Sequence, residues 1–188
     1  MDVTDPQALR ALAHPVRLDL IELLGTAGPL TAAESARRLG STQASCSYHL
    51  RLLAKYGYVE EATSSGDGRE HPWQLTDVRQ SWSGAGPAAR ELERVFVQRE
   101  ADRILAWQSA CSEQVSPWRE AAFITGASLP LTADELEDVR SRLSAVLEPY
   151  IARLSNPADR PAGHRMVRVL LAGTPAETGD DEPAGSDA

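Results

Sequence analysis

Gly40 lies between two helical sequence patterns, and this arrangement restricts the fold more than any other feature of the chain. On its N-terminal side, Thr31 is a good helix N-cap and Glu34 follows at the spacing of a capping box. These residues predict a short helix from Thr31 to Leu39. Gly40 then ends this helix, because glycine readily takes the positive φ that a tight turn needs.

The second helical pattern follows the glycine directly. Ser41 or Thr42 can cap a helix that runs to about Lys55. Its predicted inner positions are Ala44, Cys46, Leu50, Leu53 and Ala54. Two helices joined by a short turn that contains glycine make a helix-turn-helix.

The flanking segments complete the pattern of a winged helix. Upstream, Asp5 to Leu24 has apolar residues at helical spacing, and Pro15 should separate a short lead-in helix from a second helix that it begins. Downstream, Tyr58 to Ala62 and His71 to Leu75 are strand candidates on either side of the turn-forming sequence SSGDGR. Three helices followed by a hairpin predict a winged helix-turn-helix.

The C-terminal half has two long helical patterns. Ala88 to about Val115 has apolar residues at alternating steps of four and three, a spacing that requires a partner helix. Thr132 and Glu135 form a second capping box, which opens another helix. Pro149 should kink or split that helix near its end.

These elements indicate two domains and a tail. Two strand candidates, Ala121–Thr125 and Met166–Leu171, could pair with each other as a short C-terminal sheet. We therefore expect a mainly α fold with a small β component. It comprises a winged helix-turn-helix domain at residues 5–80 and a helical dimerisation region, with the short sheet, at residues 86–173. Residues 174–188 are acidic and rich in Pro, Gly and Ala, which predicts a disordered tail.

The net charge of −8 argues at first against nucleic acid, because binding to phosphates depends on Lys and Arg. The distribution of charge matters more than its sum. Between Thr31 and Val59 the local charge is +3, because four basic residues meet a single acid. These residues are Arg37, Arg38, Arg51 and Lys55, with Glu34 as the acid. The predicted helix-turn-helix is thus the part of the chain that suits DNA.

Polar side chains occupy the opening turns of the second helix. In a helix-turn-helix this helix lies in the major groove, with its first residues against base edges and phosphates. Gln43 can bind an adenine edge, and serine, tyrosine and histidine side chains can bind bases or phosphate oxygens. Small polar residues also serve simply as caps, which is the preferred interpretation for Ser41 and Thr42. The predicted DNA-contacting residues of this helix are Thr42, Gln43, Ser45, Ser47, Tyr48, His49, Arg51 and Lys55.

Two short motifs relate the N-terminal region to a known family. They are His-Pro-x-Arg at residues 14–17 and Ser-x-His-Leu-x-x-Leu at residues 47–53. From about Asp5 to Thr76 the chain resembles the ArsR-type winged helix-turn-helix regulators. Beyond Ala88 it is similar to larger members that append an α+β dimerisation or effector region.

The resemblance carries functional expectations. It implies that the wing reaches the neighbouring minor groove and that five recognition-helix positions face DNA, namely Gln43, Ser45, Ser47, Tyr48 and His49. Arg69 at the wing tip is placed near that groove, although it could equally be a solvated turn residue. The resemblance also implies a homodimer that binds a palindromic operator, most commonly as a repressor.

Departures from this family argue against a metal sensor. Metal-sensing members carry paired cysteines before the recognition helix, or His and acidic ligands on the dimerisation helix. This chain has ESARR at residues 34–38 and no histidine between Trp73 and Gly163. Cys46 takes a position that is usually apolar, so we expect a packed thiol there. Neither a metal nor a cofactor is expected.

The sequence also argues against an enzyme and a membrane protein. No Ser-His-Asp arrangement, phosphate-binding glycine loop or local carboxylate pair stands out. No apolar run is long enough to cross a bilayer, and the N-terminus does not resemble a signal peptide. We therefore expect a soluble cytoplasmic protein without a membrane partner.

Two questions remain open on the sequence alone. The aromatic residues Trp107, Trp118 and Phe123 could line an effector pocket of unknown ligand, or they could pack in a core or a dimer interface. The overall acidity also leaves a rival to the DNA-binding regulator, a winged-helix protein-interaction module that does not bind DNA.

Overall fold

The computed structural model describes residues 2–63, 71–78, 81–82, 86–110 and 117–175. The described chain is mainly helical. Its helices are α1 (Pro6–Leu12), α2 (Pro15–Ala27), α3 (Ala32–Leu39), α4 (Gln43–Lys55), α5 (Pro87–Ala110), α6 (Pro117–Ala121) and α7 (Ala133–Ser155), followed by a 3-10 turn at Pro157–Asp159. Its strands are β1 (Asp2–Val3), β2 (Val59–Glu61), β3 (Trp73–Leu75) and β4 (Ser81–Trp82).

The first two helices begin as their sequences require. The Asp5 carboxylate caps α1 by accepting a hydrogen bond from the Ala8 N–H at 2.8 Å. Pro15 is the first residue of α2, which confirms that it starts a separate helix. The imidazole of His14 caps that helix by accepting a hydrogen bond from the Val16 N–H at 3.2 Å.

The predicted helix-turn-helix is confirmed. Thr31 and Glu34 form the complete capping box of α3, with the Thr31 N–H donating to Glu34 Oε2 at 2.8 Å and the Glu34 N–H donating to Thr31 Oγ1 at 3.2 Å. Gly40 ends the helix with φ of 61°, the left-handed conformation that favours glycine. Helix α4 follows after Thr42 and packs on α3 and α2.

The hairpin of the wing is also present. Strands β2 and β3 are antiparallel, with Val59 opposite Leu75 and Glu61 opposite Trp73. Trp73 also pairs with Leu30, which ties the hairpin to the segment before α3. The tip of the hairpin, residues 64–70, lies outside the described residues, so the predicted position of Arg69 does too. Elsewhere β1 and β4 form a two-residue parallel pair.

One hydrophobic core holds these elements together. Its largest members include Leu20, Leu50 and Tyr58, none of which is exposed to solvent. Cys46 is equally buried, which confirms the prediction of a packed thiol. The first turns of α5 join the same core through Ala88, Ala89 and Leu92, so packing continues across the boundary predicted between residues 80 and 86.

A network of charged side chains extends the packing of α5 onto α2. Arg99 is buried and donates hydrogen bonds to Asp19 at 2.8 Å, Glu22 at 2.7 Å and Glu100 at 2.9 Å. Arg103 also donates to Glu22, at 2.6 Å. Arg168, from the segment after α7, makes a two-point contact with Glu100 at 2.9 and 3.0 Å. Three arginines and three acids balance in this network, which links α2, α5 and the C-terminal segment.

The structure contradicts the predicted C-terminal sheet and one of the two outcomes predicted for Pro149. No strand forms at Ala121–Thr125, where Ala121 ends α6, or at Met166–Leu171, so the predicted C-terminal sheet is absent from these described segments. An extended segment becomes a strand only when its backbone groups pair with a neighbour, and these two segments are not paired with each other. Helix α7 also runs through Pro149 without being split there. The predicted acidic tail lies outside the described residues from residue 176 onward.

Candidate nucleic-acid interface

Helix α4 has one side in the core and the other in solvent. Of the predicted inner positions, Cys46, Leu50 and Leu53 are completely buried and hold the helix against its neighbours. Ala54 is half-buried, whereas Ala44 is exposed, so its predicted inner position is wrong. Tyr48 lies on the opposite side and is 62 % exposed. Of the other residues predicted to contact DNA, Thr42, Gln43, Arg51 and Lys55 are exposed, whereas Ser45, Ser47 and His49 are half-buried. The structure therefore brings this predicted set together on one helix, with most of its side chains accessible.

The N-terminal end of α4 uses Thr42 as its cap. Thr42 Oγ1 accepts a hydrogen bond from the Ser45 N–H at 3.2 Å, which satisfies one of the open donors in the first helical turn. Thr42 is thus a structural residue of this helix start, in addition to its predicted contact with DNA.

Arg51 and Ser47 are joined on the surface of α4. Arg51 Nη2 donates a hydrogen bond to Ser47 Oγ at 2.8 Å, one helical turn away. The serine hydroxyl keeps its own hydrogen for a further acceptor, and the guanidinium keeps other N–H groups. The pair can therefore offer several donors to a phosphate at one position along the helix.

His49 lies against a residue from another helix. Its ring centroid is 4.7 Å from that of His14, with the ring planes at 39°. The Tyr48 ring contacts His49 edge-on at 5.2 Å. Arg17, in the first turn of α2, is close enough to act electrostatically on both imidazoles. The His-Pro-x-Arg and Ser-x-His-Leu motifs, which are distant in sequence, thus meet at the side of α4.

Burial lowers the pKa of both histidines. For His14, burial is the main cause and the positive charge of Arg17 is the second. For His49, burial again comes first, followed by the charges of His14 and Arg17. Both effects disfavour the protonated ring, so the pair is neutral near pH 7.

Arg17 connects this pair to the core. Burial lowers its pKa, against the opposing influence of Tyr48 and Tyr58. The Tyr58 hydroxyl donates a hydrogen bond to the Ala8 carbonyl at 2.9 Å, and burial raises the pKa of Tyr58 to about 12. Tyr58 is therefore a neutral donor that fixes α1 next to the cluster of His14, Arg17, Tyr48 and His49.

The sequence prediction of the site did not include two members of this cluster. His14 and Arg17 were recognised only as parts of a family motif, and His49 was predicted to bind phosphate. Their proximity arises because α2 and α4 pack together, a contact that no local sequence pattern reports. The motif itself was the available indication, since it places both residues within the first turn of α2.

The Cys46 thiol is not part of the exposed surface. Burial raises its pKa, and a hydrogen bond with Ser41 opposes this effect. A raised pKa reduces the thiolate fraction on which cysteine reactivity depends. Within the described residues, no group of three or more His, Cys, Asp or Glu side chains could hold a metal ion. The same part of the chain has no helix that is both long and apolar enough to span a bilayer.

The three aromatic residues of the predicted effector pocket are all exposed. Phe123 is 76 % exposed, and Trp107 and Trp118 are also in solvent, with Arg165 stacked 5.4 Å from the Trp118 ring. A pocket built from them would need further cover, so this assignment stays a prediction. A cleft of about 480 Å³ lies elsewhere, between the C-terminal ends of α2 and α7 and the base of the hairpin.

Comparison with known families agrees with the N-terminal fold. Residues 12–62 match the family described as a helix-turn-helix domain, which covers α2, α3, α4 and strand β2. The chain therefore contains a helix-turn-helix domain, here followed by a wing. The match does not distinguish the ArsR-type regulators from other winged helices. No curated protein matched the sequence.

Several solved structures are similar to this chain at low sequence identity and with low TM-scores. A variant of ZitR from Lactococcus lactis is 18% identical, over 72% of this chain and 73% of that chain, with a TM-score of 0.34. YusO from Bacillus subtilis is 17% identical over 76% and 83%, with a TM-score of 0.35. The adhesin competence repressor AdcR from Streptococcus pyogenes is 16% identical over 72% and 79%, with a TM-score of 0.34.

Proposed function

We propose that the protein is a sequence-specific DNA-binding transcription regulator, and not an enzyme. The observation that carries this proposal is the exposed polar surface of α4 in a helix-turn-helix. The second helix of this motif enters the major groove, and Gln43 and Tyr48 are exposed on its first two turns. The local charge of +3 around the two helices favours contact with phosphates in an otherwise acidic chain.

Each residue of the surface has a proposed role. Gln43 binds a base edge. Ser45, in the first turn of the same helix, binds a base or a phosphate oxygen. Ser47 and Arg51, joined by their hydrogen bond, bind one phosphate together. Tyr48 and His49 donate to the backbone, and Lys55 adds sequence-independent charge. Arg69 on the wing binds the neighbouring minor groove.

We further propose that the regulator acts as a homodimer on a palindromic operator. Two copies would present their α4 helices about 34 Å apart, one turn of the double helix. The support is the apolar surface of the C-terminal half, where Leu143, Val146 and Tyr150 on α7 are exposed. Large exposed apolar surfaces mark interaction sites. Repression is proposed first, by analogy with the ArsR-type family alone.

Salt-dependent DNA binding tests the proposal. The affinity of the full chain is measured for random DNA and for promoter-proximal fragments of the source genome over a series of salt concentrations. A regulator should show a steep decrease of affinity with salt and a specific excess for some fragments. A chain that shows neither property is not a DNA-binding regulator.

Two substitutions test the assignment of the surface. Gln43→Ala should reduce discrimination between specific and random DNA by about tenfold or more, because a base contact is lost. Tyr48→Ala should weaken specific binding more than random binding, because a phosphate contact fixes the register of α4 on its specific site. Gln108→Ala, an exposed glutamine on α5, is the matched control and should leave both affinities unchanged. Specific binding that survives both α4 substitutions would place the recognition face elsewhere.

The second candidate function is a protein-interaction module. The net charge of −8 and the exposed apolar residues of the C-terminal half favour it. Such a module should bind neither random nor specific DNA at any salt concentration, so the same titration separates the two functions.

A further inference from the structure

The contact between His14 and His49 connects the start of α2 to the proposed DNA-binding side of α4. The two rings are 4.7 Å apart, and Tyr48 packs on the other side of His49 at 5.2 Å. A change at His14 can therefore reach two residues of the recognition surface through direct ring contacts.

Hydrogen bonding fixes which nitrogen of His14 carries the proton. The Val16 N–H donates to His14 Nδ1 at 3.2 Å, so this nitrogen is an acceptor and the neutral ring carries its proton on Nε2. Protonation of Nδ1 would place two donors against each other. It would therefore break the cap of α2.

The second histidine is also unsuited to protonation. His49 Nδ1 is buried and has no hydrogen-bond partner among the described residues. In the neutral ring with its proton on Nε2, this position holds only a lone pair. In the protonated ring it holds a buried N–H without an acceptor, which is costly. Both rings are thus built into the packing as neutral groups.

The charged surroundings act in the same direction. Arg17 on α2 faces both rings, and it is in turn influenced by Tyr48 on α4 and by Tyr58 at the start of the hairpin. Asp5, at the start of α1, acts on Tyr58. Across the described residues no carboxylate forms an ion pair with either imidazole. A proton on one histidine would therefore meet Arg17 and the other ring without direct compensation.

We propose that the His14–His49 pair is a proton-sensitive lock on the recognition helix: the neutral pair holds Tyr48 and His49 in place, and protonation in mild acid loosens them and weakens specific DNA binding. This inference rests on the proposed DNA-binding function. Burial and Arg17 lower the pKa of both rings below the ordinary value of 6.5. Their contribution to stability is therefore complete above pH 6.5 and is lost as the pH falls through the pKa values of the folded protein.

DNA affinity at two pH values tests the lock. The full chain is titrated with a genomic fragment selected at pH 7.5 and with random DNA, at pH 7.5 and 5.5 and at constant ionic strength. The ratio of specific to random affinity should fall about tenfold between the two pH values, the order of one lost base contact, because the loosened side chains no longer hold α4 in register on the specific site. A more positive protein binds all DNA more tightly at low pH, and this effect cancels in the ratio because it raises both affinities.

A double variant supplies the decisive comparison. His14→Asn retains a side chain that caps helices, and His49→Gln retains a neutral polar group. Whatever the affinity of the double variant at pH 7.5, its specificity ratio should change by less than about threefold on acidification, because the titrating pair is gone. His164→Gln removes an exposed histidine and should behave as the unmodified chain. Equal changes in the double variant and the unmodified chain would overturn the proposal.

Measurements without DNA separate the lock from the proposed function. Ring signals of the four histidines are followed by NMR from pH 8 to 5 in the free protein. His14 and His49 should titrate below pH 6.5, and the midpoint of thermal unfolding should fall more steeply in this range than in the double variant. Titration of both rings above pH 6.5 would overturn the lock. If both histidines titrate below pH 6.5 but the protein binds no DNA fragment specifically, the proton-sensitive pair is supported and the proposed DNA-binding function is rejected.

Discussion

The N-terminal and C-terminal halves of the chain use apolar residues in opposite ways. From Val3 to Leu92 the hydrophobic side chains form a continuous buried core. Beyond Leu92, the buried residues of the described chain are the charged pair Arg99 and Glu100, while large apolar side chains on α7 and the flanking segments are exposed. Within the described residues, the buried apolar side chains end at Leu92, so the segment beyond it has no buried apolar core in a single copy.

The difference matters because helices in proteins depend on packing. Both helices start with a complete capping box, formed by Thr132 and Glu135 in α7 and by Thr31 and Glu34 in α3. Only α3 then buries residues, namely Ser35 and Ala36. Most helical stability comes from such packing and not from local propensity. A second protein surface packed on α7 would cover its exposed apolar side chains, which supports the proposed dimer.

The largest expected effect compares one leucine from each half. Leu50→Ala should lower the free energy of unfolding by about 4 kcal/mol, because it opens a cavity beneath the recognition helix. Leu143→Ala, at a site that is 44 % exposed, should cost less than about 0.5 kcal/mol. Urea unfolding at low protein concentration measures both.

The unfolding cost of Leu50→Ala and of Leu143→Ala should depend differently on protein concentration. In the proposed dimer, the cost of Leu143→Ala should grow as protein concentration rises, because the side chain becomes covered. The cost of Leu50→Ala should stay constant. Similar losses for the two variants in the dilute protein would mean that α7 is already packed in the single chain.

The next effect compares a buried ion pair with a surface pair. Glu100 is 2 % exposed and binds both Arg99 and Arg168, so Glu100→Ala removes the buried carboxylate that the two arginines share and should cost about 3 kcal/mol. Glu137 pairs with Arg140 on the surface of α7, and Glu137→Ala should cost less than about 1 kcal/mol. The same urea experiment measures both.

The reason for this contrast is local to Glu100. Arg99 retains Asp19 and Glu22 in the Glu100→Ala variant, so the expected cost lies at the lower end for a broken buried pair. Arg168 should lose its two-point contact with Glu100 and keep only its 4.0 Å approach to Glu22. Hydrogen exchange in the segment around Arg168 should therefore rise in this variant and remain unchanged in Glu137→Ala. Unchanged exchange in both would show that the network does not hold the C-terminal segment.

The sequence predicted those features that depend on neighbouring residues. Both capping boxes, the turn at Gly40 and the new helix at Pro15 are determined within one helical turn, and all are present. The burial of Cys46 followed from helical spacing in the same way. Local chemistry and periodicity are sufficient for features of this kind.

Features that depend on distant residues were not predictable in this way. A strand at residues 121–125 or 166–171 would need a paired neighbour, and these two segments do not pair with each other. Arg99 and Arg103 bind acids of α2 that lie about 80 residues earlier in the chain, a contact that no local sequence pattern indicates. The ring contact of His14 with His49 is a further case, because it depends on how two helices pack.

The smallest expected effect compares the two capping boxes directly. Thr31→Ala should lower the free energy of global unfolding by about 1 kcal/mol, because α3 is part of the cooperative core and loses the cap that accepts from the Glu34 N–H. Thr132→Ala removes the same bond from α7 but should leave global unfolding of the dilute protein nearly unchanged. Its effect should appear as faster hydrogen exchange in the first turn of α7, since local opening there does not require the core to open. Equal global costs would mean that α7 unfolds together with the core, and the two halves would then form one cooperative unit.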